Sequence, residues 1–357
     1  MAKKLLKTLL IILGVILLIA AAFILWLSIT EFKPGDVTDI KIENNSQVSD
    51  ISPFAGQEIT VVSWNIGYAG LGKGSDFFMD GGTNVASADQ DTVSASLLGI
   101  YKTLYSDESP ASIFMLQEVD KDSSRTYGKD ESDVLGIHNS TYALNYSCKF
   151  VPYPVPPIGR VNSGLLTTTI YDIDSAERIS LPCPFDWPVS MANLKRCLLV
   201  SYLPISGSTS KLVIVNLHLE AYDDGEGKIA QTKQLREFIQ SEYEKGNYVI
   251  AGGDFNQIFP GGLDKYPNTH KDLWEPGILS EDIMPDGWTL AYDLETPSCR
   301  LLNQPYDPSD AENTQYYSID GFILSPNVEL ISVKTLDEGF VYSDHNPVKL
   351  QVKLLDE

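Results

Sequence analysis

Tyr248-Val249-Ile250-Ala251-Gly252-Gly253-Asp254-Phe255-Asn256 is the stretch on which the rest of the chain is read. Four apolar residues run into two glycines, then into Asp254 and Asn256. A short, unbroken apolar run bounded by turn residues reads as a strand buried on both faces. Its polar residues then stand at the strand end, which is where ligands commonly sit in an α/β sheet.

The pattern recurs on both sides. Ile59-Thr60-Val61-Val62-Ser63-Trp64 is followed by Asn65, Ile113-Phe114-Met115-Leu116 by Gln117 and Glu118, and Leu212-Val213-Ile214-Val215 by Asn216, Leu217 and His218. Ile319 leads to Asp320 in the run to Leu324, and Ser343-Asp344-His345 precedes a final run from Val348 to Val352. Between these runs, Val93, Leu97, Ile100, Tyr101 and Leu104 repeat at helical spacing, as do Leu235, Phe238, Ile239 and Glu242, with Lys245-Gly246 as a helix end. Strands alternating with helices predict an α/β class. Segments 67–91, 120–139 and 259–286 are rich in Gly, Pro or Asp and are expected as long loops, which are more often functional or mobile than structural.

The residues at these ends share a chemistry. Glu118 and Asp344 are hard oxygen ligands and Asn65 adds a neutral one, a set suited to Mg²⁺, Mn²⁺ or Ca²⁺ rather than zinc. A cation beside histidine is an arrangement for attacking phosphate: the metal neutralises phosphoryl oxygens while a base takes a proton from water. An Asp against a His fixes its tautomer and stabilises the charged ring. Taken singly, each residue has a plainer reading. Glu118 reads as a solvated carboxylate, His218 and His345 as surface or satisfied core histidines, Asp254 and Asn256 as turn caps, and Asp320-Gly321 as a hairpin turn. The ordered set carries the functional reading.

In that order, Asn65, Glu118, His218, Gly-Asp-Phe-Asn at 253–256, Asp320 and Ser-Asp-His at 343–345 resemble the endonuclease/exonuclease/phosphatase superfamily over Ile59 to Val352. The resemblance implies a four-layer α/β/β/α sandwich of two mixed sheets, and hydrolysis of a phosphoester with a divalent cation, Mg²⁺ first. It also implies roles: Asn65, Glu118 and Asp344 at the metal, Asp254 and Asn256 orienting water and binding phosphate, and Asp320 partnering His345. His345 is then the general base or a phosphate contact. His218 matches a histidine of the deoxyribonuclease, sphingomyelinase, deadenylase and 5-phosphatase branches, as either general acid or phosphate ligand. Two features depart from the pattern or leave it open. Gln257-Ile258-Phe259 follows Asn256 where 5-phosphatases place a basic residue. In the middle segment only Arg160 and Asn162, with Ser163, offer substrate contacts, and Arg196 and Arg300 are less placed. An endonuclease and a sphingomyelinase-like phospholipid hydrolase are the alternatives within this chemistry. A binding module that keeps the fold without catalysis is the alternative of another class.

The ends of the chain and its charge bound the rest. Thr8 to Thr30 holds 23 residues without a charged side chain, preceded by Lys3, Lys4 and Lys7. As a helix it spans about 34 Å, against roughly 30 Å of hydrocarbon. The expected organisation is therefore a basic N-terminus at 1–7, a membrane anchor at 8–30, a polar linker at 31–58 and a catalytic domain at 59–357. Positive charge inside puts the domain on the extracytoplasmic face of the cell membrane. Cleavage after Ala20-Ala21-Ala22, giving a secreted protein, is the competing reading. All 48 acidic residues lie beyond the anchor, against 26 basic residues in the whole chain, a net charge of −22. This counts against gripping nucleic acid through a broad basic surface. The implied partners are a phosphoester (small molecule, phospholipid or nucleic acid) and the membrane, with no protein partner. Cys148, Cys183, Cys197 and Cys299 allow either two disulfides or free buried thiols.

Overall fold

The computed structural model describes residues 1–43, 51–86, 89–106, 111–223, 225–280 and 284–356. Strand Tyr248–Asp254 pairs in parallel with Lys211–His218, and a parallel pair needs a crossover. Helix Glu226–Glu244 provides it, and Gly246, at φ 87°, ends the turn that follows. The other sheet repeats the unit: Glu58–Asn65 and Ile113–Asp120 are parallel, joined through helix Gln90–Leu104, whose first turn is capped by Asp89 accepting from the Thr92 N–H. The two helical patterns and four of the apolar runs in the sequence are thus two βαβ units, one per sheet.

The first sheet runs, edge to edge, Val37–Asp39, Ser175–Ser180, Cys197–Pro204, Lys211–His218, Tyr248–Asp254, Asp320–Leu324 and Thr289–Ala291. The second runs Val328–Thr335, Val348–Leu354, Glu58–Asn65, Ile113–Asp120, Gly159–Thr169, Asn139–Val151 and Ile42–Glu43. Their inner faces meet through Val61, Met115, Ile214, Ile250, Phe322 and Leu350. On the outer faces, Leu235 and Ile239 pack on Val213 and Val249, while Val93, Leu97 and Ile100 pack on Val62 and Phe114. Four layers result, as expected. Because each central strand is covered on both faces, its sequence is a continuous apolar run and not an alternating one.

The structure decides two alternatives that the sequence left open, at Asp320-Gly321 and at the cysteines, and it differs from the expected linker at 31–58. Asp320-Gly321 is not a hairpin turn but the start of an inner strand, and a Cβ on Gly321 would come within 2.7 Å of the Phe259 ring. Segment 31–58 is not a free linker along its whole length. Val37–Asp39 pairs with Ser175–Ser180, and Ile42–Glu43 pairs with Asn139–Val151, so the segment contributes one edge strand to each sheet. Residues 44–50 of it lie outside the described residues. The four cysteines are free thiols, with Cys148, Cys197 and Cys299 buried and Cys183 exposed.

Helix Ala2–Ile29 is long and apolar enough to cross a membrane. Most of it is exposed, and Leu5 to Ile19 present exposed apolar side chains. Only its last turns meet the domain. Leu27 is buried and, with Phe23, packs against Cys148, Val151, Val161 and Met191. Ser28 donates to the Met191 sulfur, and Glu31, just beyond the helix, pairs with Lys195 at 3.1 Å.

Candidate active site

The C-terminal ends of the two parallel pairs point at each other across the sandwich. In register, Asn65 stands beside Gln117 and Asp254 beside His218. The two sheets are stapled just beneath by buried amides. Gln117 Nε2 donates to Asn216 Oδ1 at 2.8 Å and to Ser63 Oγ at 3.2 Å, while Asn216 Nδ2 donates to the carbonyls of Leu116 and Leu166. Those amides, set in otherwise apolar strands, fix how the two strand ends face one another.

Local backbone geometry then aims the functional groups. The strand carrying Glu118 is bulged between Leu116 and Val119, and Glu118 sits at φ 55°. Asn256 sits at φ 49°, in a turn held by its own N–H donating to Asp254 Oδ1 (2.8 Å) and by its Nδ2 donating to the Leu219 carbonyl (2.9 Å). A non-glycine residue in this left-handed region costs on the order of 1 kcal/mol, which the surrounding packing sustains. Gly253 has no alternative: at φ 143°, a Cβ would come within 1.9 Å of the Leu217 carbonyl oxygen. Ser343 Oγ donates to the Asn65 carbonyl and Trp64 Nε1 to the His345 carbonyl, so the 343–345 loop is tied across the end of the Glu58–Asn65 strand.

Eight of the expected site residues come together. Asn65 Nδ2 donates to Asp254 Oδ2 at 3.0 Å and to Glu118 Oε1 at 3.2 Å. Asp254 Oδ2 lies 3.4 Å from His218 Nε2 and 3.8 Å from His345 Nε2. His345 Nδ1 is 2.8 Å from Asp320 Oδ2, which also accepts from Ser298 Oγ at 2.7 Å. Asn65, Glu118, His218, Asp254, Asn256, Asp344 and His345 line one cleft of about 720 Å³, with Asp320 buried behind His345.

The two histidines are pushed in opposite directions. Burial disfavours charge on His345, but Asp320 and Asp254 outweigh it and hold its pKa well above the ordinary value. Among the described residues His218 has no carboxylate against its Nδ1, which is buried without a hydrogen-bond partner; burial, then Arg196 and His345, hold its pKa well below. One ring is thus suited to carry a proton at neutral pH and the other to stay neutral. Burial raises the Asp254 pKa, with the Asp320 charge adding to it. Burial, against the pull of His345 and helped by repulsion from Glu118, pushes Asp344 up to about 6.

Those raised carboxylate values bear on whether the site fits a cation. Glu118 and Asp344 repel each other in a cleft that holds no lysine among its described lining, and a hard divalent ion between them relieves that cost. Asn65, Glu118 and Asp344 offer oxygen donors only, which suits such an ion. The donor atoms of Cys299, Asp344 and His345 also lie within 4.8 Å of one another, as do those of Asp254, Asp320 and His345. These sets fit less well: burial pushes the Cys299 thiol up to about 12, and His345 already engages Asp320.

The remaining candidates lie elsewhere. Arg160 is exposed, pairs with Asp122 at 2.5 Å and is not part of the cleft lining. Asn162 accepts from Ser147 Oγ and also lies off the lining, whereas Ser163 is on it. Arg196 and Arg300 do line the cleft, but both are buried. Arg196 stands 3.7 Å from Glu220, and Arg300 donates to the carbonyls of Gly72, Ser75 and Gln304. Sequence reasoning missed a third arginine, Arg125, which makes two 2.9 Å hydrogen bonds to buried Asp120 and lies over the Tyr68 ring at 3.5 Å. Asp120, at the end of its strand, was the available signal.

No family model and no curated protein matches the sequence. Solved structures do match in fold. An endonuclease/exonuclease/phosphatase from Beutenbergia cavernae superposes with a TM-score of 0.54 at 15% identity, over 84% of this chain and 72% of that one. A family protein of the same description from Leptotrichia buccalis gives 0.52 at 14% identity, over 82% and 98%. One from Bacteroides vulgatus gives 0.51 at 14% identity, over 84% and 99%. The chain has the endonuclease/exonuclease/phosphatase fold.

Proposed function

We propose that the chain is a divalent-metal-dependent hydrolase of phosphoester bonds, held to a membrane by helix Ala2–Ile29 with its catalytic domain on the extracytoplasmic side. The observation that carries the chemistry is the chain of contacts Asp320–His345–Asp254–His218, meeting Asn65, Glu118 and Asp344 in one cleft. The positive flank of Lys3, Lys4 and Lys7 supports the orientation.

Glu118, Asp344 and Asn65 would hold the cation, Mg²⁺ first, with Mn²⁺ or Ca²⁺ as alternatives. When bound, it neutralises charge on the phosphoryl oxygens. Asp254 would orient the attacking water and accept its proton, because its Oδ2 accepts from Asn65 and lies within 4 Å of the Nε2 atoms of both histidines. Asp320 holds His345 by Nδ1, leaving a protonated Nε2 to donate to the phosphoryl oxygen as charge builds. With Nδ1 unpartnered, His218 is expected to carry its proton on Nε2 and to act as a neutral donor. Water adds to phosphorus, the P–O bond to the leaving group breaks, and the departing oxygen takes up a proton.

The test is turnover of bis(p-nitrophenyl) phosphate by the full chain in detergent. Activity should appear with Mg²⁺, Mn²⁺ or Ca²⁺ and vanish with chelator, and it should drop by about 100-fold or more in Glu118→Gln and in His345→Ala. A parent inactive with all three cations would leave a binding module on the same fold as the better account, and variants as active as the parent would overturn the roles assigned to Glu118 and His345.

A further inference from the structure

The cleft is far larger than a phosphate group needs, and its second half is apolar. Phe78, Tyr146, Val151, Ile158, Val189 and Ala192 line it, facing away from the carboxylate and histidine cluster in chemistry though sharing one cavity. Four of these, Tyr146, Val151, Ile158 and Ala192, belong to the same apolar cluster as Phe23 and Leu27 of the N-terminal helix. One apolar surface therefore runs from the helix into the cleft. The helix end is fixed against it: Trp187 Nε1 donates to Ser28 Oγ at 3.2 Å, and Phe23 meets Phe150 edge-on at 6.0 Å. Around this junction, Tyr153 (68% exposed), Val155 (91%), Trp187 (63%) and Val189 (57%) are large apolar side chains left in the open. Such a patch, continuous with a helix long enough to span a bilayer, matches the apolar-plus-aromatic belt of a membrane interface.

Charge points the same way. Among the described lining there are three arginines and no lysine; Arg125 is held by two hydrogen bonds to Asp120, Arg300 donates to backbone carbonyls, and Arg196 is buried 3.7 Å from Glu220, so at most one of them is left for a substrate. An extended polyanion such as DNA, RNA or an inositol polyphosphate needs several. A single phosphoester with an apolar body needs none.

We infer that the substrate is a membrane phospholipid, its phosphoester at Asp254 and His345 and its acyl tail along the wall that the cleft shares with the chain's own helix. The inference rests on the hydrolase and membrane readings proposed above. Bound this way, the lipid has only a short distance to leave the bilayer, because Phe23 and Leu27 of the helix pack against the back of the wall that Tyr146, Val151, Ile158 and Ala192 present to the cleft.

The experiment uses the full chain in mixed micelles with Mg²⁺. It compares bis(p-nitrophenyl) phosphate, a DNA duplex, and phosphatidylglycerol, phosphatidic acid and sphingomyelin, the glycerophospholipids with six- and sixteen-carbon chains. Products are followed by phosphorus NMR. At least one lipid should be turned over, with kcat/KM at least tenfold higher for the long-chain than for the short-chain form. In Val189→Asp, lipid turnover should fall at least tenfold more than turnover of the chromogenic diester. Chromogenic turnover without any lipid turnover, no gain with chain length, or a preference for DNA would overturn the lipid inference and leave the hydrolase reading standing. No turnover of any substrate would sink both.

Discussion

Asp80 gives the sharpest quantitative test of the cleft, because its carboxyl is buried beside the Tyr222 hydroxyl and not against an ion-pair partner at contact distance among the described residues. It is 6% exposed, lines the cleft and accepts from the Tyr222 hydroxyl at 3.0 Å. Burial, with Asp344 and Glu118 adding their repulsion, pushes its pKa up to about 7 despite the Tyr222 hydrogen bond. An unfolded-chain Asp titrates near 4. Below about pH 4, Asp80 is protonated in both states and makes no difference to stability. Between about 4 and 7 the unfolded chain gives up the proton while the fold retains it, so stability falls as pH rises. Above 7 the penalty is complete, roughly 3 pKa units or about 4 kcal/mol as an upper limit. Asp80→Asn keeps an acceptor for Tyr222 and removes the ionisation. In denaturant titrations in detergent and chelator, the variant should lead the parent by no more than about 1 kcal/mol near pH 4.5. It should then gain on the parent up to pH 7 and hold a lead of a few kcal/mol at pH 8.5. Added Mg²⁺ should narrow the lead, by supplying positive charge near Asp344 and Glu118. Parallel stability profiles for parent and variant across this range would refute the reasoning.

Three further perturbations probe other parts of the construction. Asp320→Asn keeps the shape and the Ser298 contact but removes the negative partner of His345; a charge-assisted hydrogen bond of about 2–3 kcal/mol corresponds to a roughly 30- to 150-fold loss in kcat with KM little changed. A kcat within threefold of the parent would mean that Asp320 does not position His345. Gly253→Ala forces a Cβ into the Leu217 carbonyl, and should cost about 3 kcal/mol or more, seen as a lowered unfolding midpoint or loss of folded protein; a midpoint equal to the parent's would show that the strand end can shift. Arg125→Met strands the buried Asp120 carboxylate and should destabilise by about 3–5 kcal/mol, with much of the loss recovered in Arg125→Met combined with Asp120→Leu. Equal stability in the single variant would mean that Asp120 finds another partner.

The parts of the fold that were legible are those whose burial is uniform. Val61 packs inward and Val62 outward, and both are covered, so the run 59–64 reads as a strand whatever surrounds it. The two βαβ units follow from such runs and from the helices between them. Asn139–Val151, Gly159–Thr169 and Ser175–Ser180 were not legible as strands, because their faces are mixed. Thr141, Thr167, Thr168 and Ser163 are buried polar residues within the sandwich, and they dilute the apolar signal. The edge strands Val37–Asp39 and Ile42–Glu43 are two to three residues long and exposed or half-buried, so composition marked them as linker. Tertiary pairing alone makes them strands.

The same contrast separates the two halves of the cleft. Phosphate chemistry restricts residue type, so Asn65, Glu118, His218, Asp254 and His345 could be picked out at strand ends before any contact between them was known. An apolar wall restricts only polarity and volume, and Tyr146, Ile158, Val189 and Ala192 carry no local mark that separates them from core. Phe77-Phe78 was the nearest to a visible sign, two aromatics beside glycines. Both line the cleft, Phe78 meeting Tyr153 edge-on at 5.9 Å. The excess of acid was legible too, but only as an argument against nucleic acid in bulk. The fold gives that argument a location. Arginine is present in the cleft, at 125, 196 and 300; Arg125 is drawn off by the buried Asp120 and Arg300 by backbone carbonyls, while Arg196 is buried 3.7 Å from Glu220. A net charge of −22 could coexist with a basic cleft; what disfavours a polyanion here is that most of the cleft's own cations are already spent on holding its walls.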